Sequence, residues 1–253
     1  MVFQKMNGTG GANTDGEQLN HLHFADDVVL IANNARDINE MLQEVNAKGG
    51  EVGLKINAEK SKIMQTAGLP KAYILIGGVI LEEVDSYVYL GKELNMRHDP
   101  QPEISRRRAA GWRKFYSIID FLKRTARSYR SHLFNTTVLK AVTYGGETWS
   151  LTKGEGQKLA VTETAMERRI LGVSLCDHIE NKTLCQMSGV ADVVGIKPEN
   201  KIRWTGHVAR LADNRWTSRI AEWYPRIEND HSAGLREDGV RTWWRWQVRT
   251  GGK

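Results

Sequence analysis

The stretch Asp15–Leu30, which reads DGEQLNHLHFADDVVL, decides how the first part of this chain is interpreted. Two apolar runs, Leu19–Ala25 and Val28–Ala32, flank the adjacent pair Asp26-Asp27. Partly alternating apolar runs around a short acidic turn predict a β-hairpin. Adjacent aspartates repel each other unless a cation lies beside them, and Mg²⁺ takes carboxylate oxygens and substrate phosphates as ligands. A solvated turn is the plainer interpretation of the same pair.

The residues after this hairpin predict one helix and several short strands. Apolar residues at i, i+3, i+4 and i+7 predict a helix that follows Asn33-Asn34 and ends at Gly49-Gly50. Residues 1–96 are therefore expected to be α+β with an antiparallel character. The runs that predict strands are Lys62–Thr66, Tyr73–Ile76, Val79–Leu81 and Ser86–Leu90.

From residue 97 the pattern becomes helical. Asp99 as N-cap and Pro100 in the first turn suit the start of a long helix. Glycines from Glu228 onward break the periodicity and predict a loose tail. The further helices are predicted over Ser131–Val142, from the capping-box residue Thr152 to about Gly172, over Asn181–Ser188 and over Pro198–Leu211.

The charge is divided unevenly along the 253 residues, whose formal net charge is +6. Residues 1–96 contain 8 basic and 13 acidic residues, whereas residues 97–253 contain 28 basic and 17 acidic residues and all eight tryptophans. An excess of Lys and Arg favours binding to polyanions, and aromatic rings among arginines can stack on bases. A helical region with a solvated basic face and tryptophans in its core accounts for the composition equally well.

Several classes of protein are disfavoured by the composition. No stretch approaches the roughly 18 apolar residues of a membrane span. The first 16 residues have no basic stretch followed by an apolar run, so no secretory signal is expected. Two cysteines, Cys176 and Cys185, cannot build a disulfide framework, so a reducing intracellular compartment is expected.

The basic residues of the long helix predicted from Asp99, and of the turn after it, are candidates for nucleic-acid binding. At helical spacing they would form a basic stripe opposite the apolar face, and such a stripe can follow a phosphate backbone. The candidates are Arg106, Arg107, Arg108, Arg113, Lys114, Lys123, Arg124 and Arg127, with Trp112 and Arg130 nearby.

Several ordered motifs together resemble the reverse transcriptases of non-LTR retrotransposons, LINE-like elements, and in particular the RTE type. The stretch Asp15–Leu30 resembles the palm segment with the aromatic-x-Asp-Asp motif. Gly53–Lys62 (GLKINAEKSK) matches that family's Gly-Leu-x-Ile-Asn-x-x-Lys-[Ser/Thr]-Lys pattern. Tyr87–Gly91 (YVYLG) resembles the primer-grip hairpin, and Glu167–Gly172 and Ile202–Leu211 resemble the region after the thumb. The resemblance extends over almost the whole chain.

The resemblance implies an architecture and a set of partners. Residues 1–96 would be the C-terminal part of the palm, residues 97–172 a helical thumb, and residues 173–253 a basic, Trp-rich C-terminal region. The parent enzyme would be an RNA-directed DNA polymerase that uses Mg²⁺, an RNA template, a DNA primer and deoxynucleoside triphosphates. The parent element would act in the nucleus, and no membrane is expected among its partners.

The resemblance also implies roles for single residues. Asp26 would bind the catalytic metal, and Asp27 would support the metals and the turn. Lys60 would lie near the incoming triphosphate and protonate the departing pyrophosphate, although an exposed lysine on a turn is the alternative. The primer grip would comprise Tyr87, Tyr89, Leu90 and Gly91, with one tyrosine packing and the other facing nucleic acid; strand propensity alone also explains the tyrosines.

Parts of the family's active site are missing from the sequence. Upstream of Asp26 the acidic residues are Asp15 and Glu17, both in a predicted loop, so the earlier palm strand with a second metal-binding aspartate is not found. The fingers and the preceding endonuclease are not found either. Two aspartates cannot make a two-metal site, and we therefore expect the chain alone to be inactive. The alternatives are a nonenzymatic nucleic-acid-binding remnant and a nonfunctional product of a decayed element.

A zinc site is a weaker hypothesis. Zinc prefers four ligands, with paired Cys or His at short spacing. The spacing of Cys176, His178, Cys185 and His207 does not fit that pattern, and a free cysteine is more often a small buried apolar residue.

Overall fold

The computed structural model describes residues 11–14, 17–66, 68–97, 99–149, 151–211, 216–217 and 246–249. Contacts divide the chain into two compact units. The first unit comprises Met1–Tyr89, Glu93–His98 and Glu222–Lys253, and the second comprises Leu90–Lys92 and Asp99–Ala221. The boundary predicted between residues 172 and 173 lies within the second unit.

The first unit contains short strands and one long helix, α1 (Ala35–Glu51). Its small sheets are mainly antiparallel, so the predicted α+β class is confirmed at this level. The strands are β1 (Ala12–Thr14), β2 (Glu17–Leu19), β3 (His21–Phe24), β4 (Asp27–Leu30), β5 (Lys62–Ile63), β6 (Leu75–Ile76), β7 (Val79–Ile80), β8 (Glu82–Glu83), β9 (Ser86–Tyr89), β10 (Lys92–Asn95) and β11 (Trp246–Arg249).

The main sheet has the strand order β3-β4-β11-β5-β8. Strand β4 is antiparallel to β3, and β11 is antiparallel to both β4 and β5. The expectation of a loose tail from Glu228 onward is therefore wrong for the four residues of β11. Local glycines predicted that tail, but strand pairing over about 200 residues depends on contacts that a local pattern does not contain.

Helix α1 closes over the sheet through the apolar face that its spacing predicted. The Asn34 side chain caps the helix by accepting a 2.8 Å hydrogen bond from the Asp37 backbone N–H. The helix continues through Gly49-Gly50 to Glu51, one residue beyond the predicted end. Its buried residues join those of β4, β5 and β6 in the first core: Val28, Leu30, Ala32, Ile38, Met41, Leu42, Val45, Ile63, Ile74, Ile76 and Leu81.

The second unit is helical. Helix α5 starts with the predicted capping box, in which Thr152 and Glu155 bond each other's backbone N–H, and the left-handed Gly172 follows its last residue. Helix α7 begins at Val193, five residues before the predicted start at Pro198. The helices are α2 (Gln101–Arg124), α3 (Arg127–Leu133), α4 (Leu139–Thr143), α5 (Lys153–Leu171), α6 (Asn181–Ser188) and α7 (Val193–Ala209), with a π-helical turn at Phe134–Val138 and 3₁₀ turns at Gly146–Thr148 and Leu175–Asp177.

Helices α2 and α5 lie side by side and run in the same direction. The Gln101 side chain bonds Glu155 at the start of α5 at 3.0 Å, and Arg108 Nε donates to Thr162 Oγ1 at 2.7 Å about two turns further along both helices. On another face of α2, Gly111 lies against Val142 of α4. Among the described helices, none is long and apolar enough to cross a bilayer.

Candidate functional site

The turn between β3 and β4 presents the paired aspartates. Phe24 pairs with Asp27, so Ala25 and Asp26 form a two-residue turn. Ala25 adopts φ +52, a left-handed conformation that is uncommon for a residue with a Cβ. Asp26 is exposed at the tip and Asp27 is half-buried as the first residue of β4. The turn thus holds one carboxylate in solvent and one at the edge of a buried strand.

Strand order brings Lys60 to the same edge of the sheet as these aspartates. Strands β4 and β5 are both antiparallel to β11 and therefore parallel to each other, and each begins at this edge. Val29 and Lys62 pair with the same residue of β11, so two strand spacings of about 5 Å separate β4 from β5. Lys60 is exposed two residues before β5, on a turn where its backbone N–H donates to Asn57 Oδ1 at 3.1 Å.

The carboxylates at this edge do not amount to a closed metal site. Within the part of the chain that the structure describes, no three His, Cys, Asp or Glu side chains are grouped so that they could hold a metal ion. Two adjacent carboxylates suit part of the shell of one Mg²⁺, which keeps waters or substrate phosphates as its other ligands. They do not fit the two-metal arrangement of phosphoryl transfer, which needs carboxylates around both ions.

The candidate primer-grip residues lie on the hairpin formed by β9 and β10. Leu90 and Gly91 form its turn with φ +47 and +76, the combination of a type I′ turn. Within the second unit, the Gly91 carbonyl accepts hydrogen bonds from Arg106 and Arg107, and the Tyr144 hydroxyl donates to the Leu90 carbonyl at 3.4 Å. These contacts fix the turn.

The two tyrosines of β9 do not point in opposite directions as expected. Tyr87 and Tyr89 are both half-buried, whereas Val88 between them is exposed. Side chains alternate along a strand with a period of two, so residues two apart share a face. The expectation that the two tyrosines alternate across the hairpin is therefore wrong, and contact of either tyrosine with nucleic acid stays a prediction.

The predicted basic stripe is divided between buried and exposed residues. Arg107 is 7% exposed and pairs with Glu103 at 2.7 Å, and its guanidinium lies 4.5 Å from the centre of the Tyr144 ring. Arg106 pairs with the same carboxylate at 2.7 Å. Arg108 donates to Thr162 of α5, so three of the eight candidate residues make contacts inside the second unit and do not lie together on one exposed face. The exposed candidates are Arg113, Lys114, Lys123, Arg124 and Arg127, of which Arg127 also donates to the Gln186 carbonyl.

The four candidate zinc ligands differ in their exposure and in the element on which each lies. Cys176 is exposed, whereas the Cys185 Sγ lies 3.3 Å from the Val190 carbonyl. Burial, with nearby carboxylates, raises the pKa of the Cys185 thiol. His178 adopts φ +48 after a 3₁₀ turn and His207 lies in α7. The described residues give no grouping that could bind zinc.

Two features of the second unit were not expected from the sequence. Glu163 and Glu167 lie one turn apart on α5 and are both buried. Arg169, also on α5, lies over the rings of Trp112 and Tyr116 of α2. Arg169 stands in the stretch Glu167–Gly172 that carries the family resemblance, but only the packing of α5 on α2 identifies its partners.

Paired aspartates at a hairpin turn, followed in the chain by a helical unit with exposed cations, are features of the nucleic-acid polymerase class. Residues 2–94 match the family model described as reverse transcriptase (RNA-dependent DNA polymerase). The chain is also 37% identical over 222 residues to an uncharacterized transposon-derived protein of Caenorhabditis elegans, a match that covers 83% of this chain and 79% of that protein. The chain therefore belongs to a family of transposon-derived proteins, and its residues 2–94 are related to reverse transcriptases. No solved structure matches it significantly.

Proposed function

We propose that this chain is the C-terminal part of the reverse transcriptase of a non-LTR, LINE-like retrotransposon of the RTE type. The observation that supports this most directly is the β3–β4 hairpin, which holds Asp26 and Asp27 at its turn within the region that matches the family model. Residues 1–96 would complete a palm, and the helical second unit would include the thumb. The parent reaction is the attack of a primer 3′-hydroxyl on a deoxynucleoside triphosphate, templated by RNA.

Each candidate residue has a role that suits its position. Asp26, exposed at the turn, would face the metal and substrate, and the half-buried Asp27 would support the turn and the metals. Lys60, at the same sheet edge, would neutralise charge on the departing pyrophosphate and donate a proton to it. Mg²⁺ would supply positive charge to the reacting phosphate when bound.

We further propose that this chain alone does not polymerise. The strand paired with β4 on the side away from β3 is β11, and its residues Trp-Gln-Val-Arg include no carboxylate. Arg249 is the residue opposite Asp27 in that pairing. Two metal ions need carboxylates around both of them, and this strand adds none to Asp26 and Asp27.

Primer extension tests this proposal. The purified chain is mixed with a DNA primer on an RNA template, deoxynucleoside triphosphates and Mg²⁺, and we expect no extended product. Template-dependent extension by the purified chain would contradict the proposed incompleteness.

A nonenzymatic nucleic-acid-binding protein is the second candidate function. It is favoured by the exposed cations on α2 and at the start of α3, in a part of the chain whose excess of basic over acidic residues is 11. Such a protein would bind RNA or DNA with little sequence preference, because phosphate contacts carry no sequence information.

A further inference from the structure

An aromatic pair and an arginine form a small cluster on the surface of the second unit. The rings of Trp112 and Tyr116, one turn apart on α2, lie 5.5 Å apart at an interplanar angle of 26°. The guanidinium carbon of Arg169 on α5 lies 5.6 Å from the centre of each ring. We call these three residues the stacking cluster.

Within the stacking cluster, Trp112 packs against the core, whereas Tyr116 is partly exposed to solvent. Trp112 packs against the second core and its ring meets Phe115 edge-on at 5.5 Å. Tyr116 is 52% exposed, although its ring stacks on that of Trp112. The exposed half of the Tyr116 side chain is therefore accessible to a ligand.

The charges around the stacking cluster are mainly positive. Arg113 lies three residues before Tyr116, and Lys123 lies seven residues after it, two turns further along the same side of the helix; both are exposed. Asp120, four residues after Tyr116, is the acidic side chain on this stretch of α2. An exposed ring bordered by cations offers a π face and phosphate contacts together.

We propose that the stacking cluster binds an unpaired base of a single-stranded nucleic acid. The base stacks on Tyr116, Arg169 and Trp112 hold that ring in place, and Arg113 and Lys123 contact the adjacent phosphates. Stacking of this kind tolerates any base, because every base has a π face. The proposal rests on the proposed nucleic-acid function and adds to it a preference for unpaired strands.

The test separates stacking from phosphate binding. Fluorescence anisotropy at about 50 mM salt compares a labelled oligo-dT strand with a strand of equal length in which every base is replaced by an abasic site. Both carry the same phosphates, but only the first can stack. One stacked base contributes about 1–3 kcal/mol, so we expect oligo-dT to bind roughly 5–150-fold more tightly.

Substitutions test whether the stacking cluster causes the preference for oligo-dT over the abasic strand. Tyr116→Ala should remove most of the preference for oligo-dT and leave binding to the abasic strand unchanged, whereas Tyr116→Trp should retain the preference. Tyr129→Ala is the matched control, because Tyr129 is 70% exposed among basic residues of α3 and lies outside the cluster. Circular dichroism confirms that each variant is folded.

Three results would overturn the proposal. Equal affinity for the two strands would leave the basic surface as a phosphate-binding site without stacking. An equal loss in Tyr116→Ala and Tyr129→Ala would show that the cluster is not the site. Absence of binding to both strands would reject the cluster and nucleic-acid binding by this unit together, whereas polymerase ancestry is tested separately by primer extension.

Discussion

Ala25 has a backbone conformation that costs free energy. Its φ of +52 at the β3–β4 turn brings the Cβ close to backbone atoms, whereas glycine adopts this conformation freely. We expect Ala25→Gly to raise the free energy of unfolding by about 1 kcal/mol, measured by urea denaturation. Ala126→Gly is the control at an exposed position with φ −59, where glycine should lower stability. A loss of stability in both variants would contradict strain at the turn.

Glu163 makes stability depend on pH. Burial raises the pKa of its carboxyl to about 8, although the Val193 backbone N–H donates to its two oxygens at 3.1 and 3.0 Å; the nearby Glu167 and Asp192 raise the pKa further. The folded state therefore keeps a proton that the unfolded state releases near the ordinary pKa of 4.5. The free energy of unfolding should fall by roughly 3–5 kcal/mol as the pH rises from about 4.5 to 8.

A substitution tests whether Glu163 causes this pH dependence of stability. Glu163→Gln keeps an oxygen that accepts from Val193 N–H but cannot ionise, so it should flatten most of the loss of stability between pH 5 and pH 8. Burial also raises the pKa of Glu167, to which the Ser188 hydroxyl donates at 3.1 Å, so part of the slope should persist. Glu180→Gln, at an exposed position, is the control. An unchanged slope in Glu163→Gln would show that another group titrates.

At the scale of elements, two helical glycines should respond in opposite ways to alanine. A Cβ on Gly111 of α2 would lie 2.3 Å from Val142 Cγ2 of α4, whereas nothing lies within 4 Å of a Cβ on Gly154 of α5. Gly111→Ala should lower the free energy of unfolding by about 1–3 kcal/mol. Gly154→Ala should raise it by up to about 1 kcal/mol, because alanine is the better helix former. Equal effects in thermal unfolding would contradict close packing of α2 on α4.

The elements with local signals were the ones that the sequence predicted. The hairpin at Asp26-Asp27, the apolar face of α1 and the capping box at Thr152 depend on neighbouring residues, and all three are confirmed. Strand β11 was missed, because its partners lie about 200 residues away and no local pattern specifies them. The burial of Arg107 was missed for the same reason, since Glu103 is local but Gly91 and Tyr144 belong to other elements.

The relative positions of the candidate-site residues could not be predicted from the sequence either. The resemblance to reverse transcriptases suggested Asp26, Asp27 and Lys60 as candidates, but only the pairing of β11 with both β4 and β5 relates their positions. The stacking cluster could not be inferred from spacing, because Arg169 reaches Trp112 through the packing of two helices that are far apart in sequence.

For the whole molecule, the distribution of charge predicts salt-dependent binding. The affinity of residues 97–253 for an RNA–DNA hybrid should fall by roughly 0.7–0.9 log units per log unit of salt for each phosphate contacted. Converting the four exposed cations of α2 to Gln should reduce that slope by up to about four contacts. Arg107→Gln is the contrasting variant: it should lower stability, because it removes one of the two arginines that pair with the buried Glu103. The four cations are Arg113, Lys114, Lys123 and Arg124.

A salt titration followed by anisotropy measures this slope in the whole chain. A slope unaffected by the four substitutions would mean that these cations form a solvated surface and contact no phosphates. Replacing Cys176 and Cys185 by Ser should leave binding unaltered if zinc has no part in it.

Primer extension by a completed polymerase tests the central claim most directly. The chain is fused after the upstream palm and fingers of a related reverse transcriptase, and extension of a DNA primer on RNA with Mg²⁺ is measured. We predict that activity appears, that Asp26→Asn removes nearly all of it, and that Asp27→Asn costs less. Asp120→Asn, an exposed acid on α2, is the control and should retain activity. Near-full activity in Asp26→Asn would contradict the assignment of the β3–β4 hairpin as part of a polymerase active site.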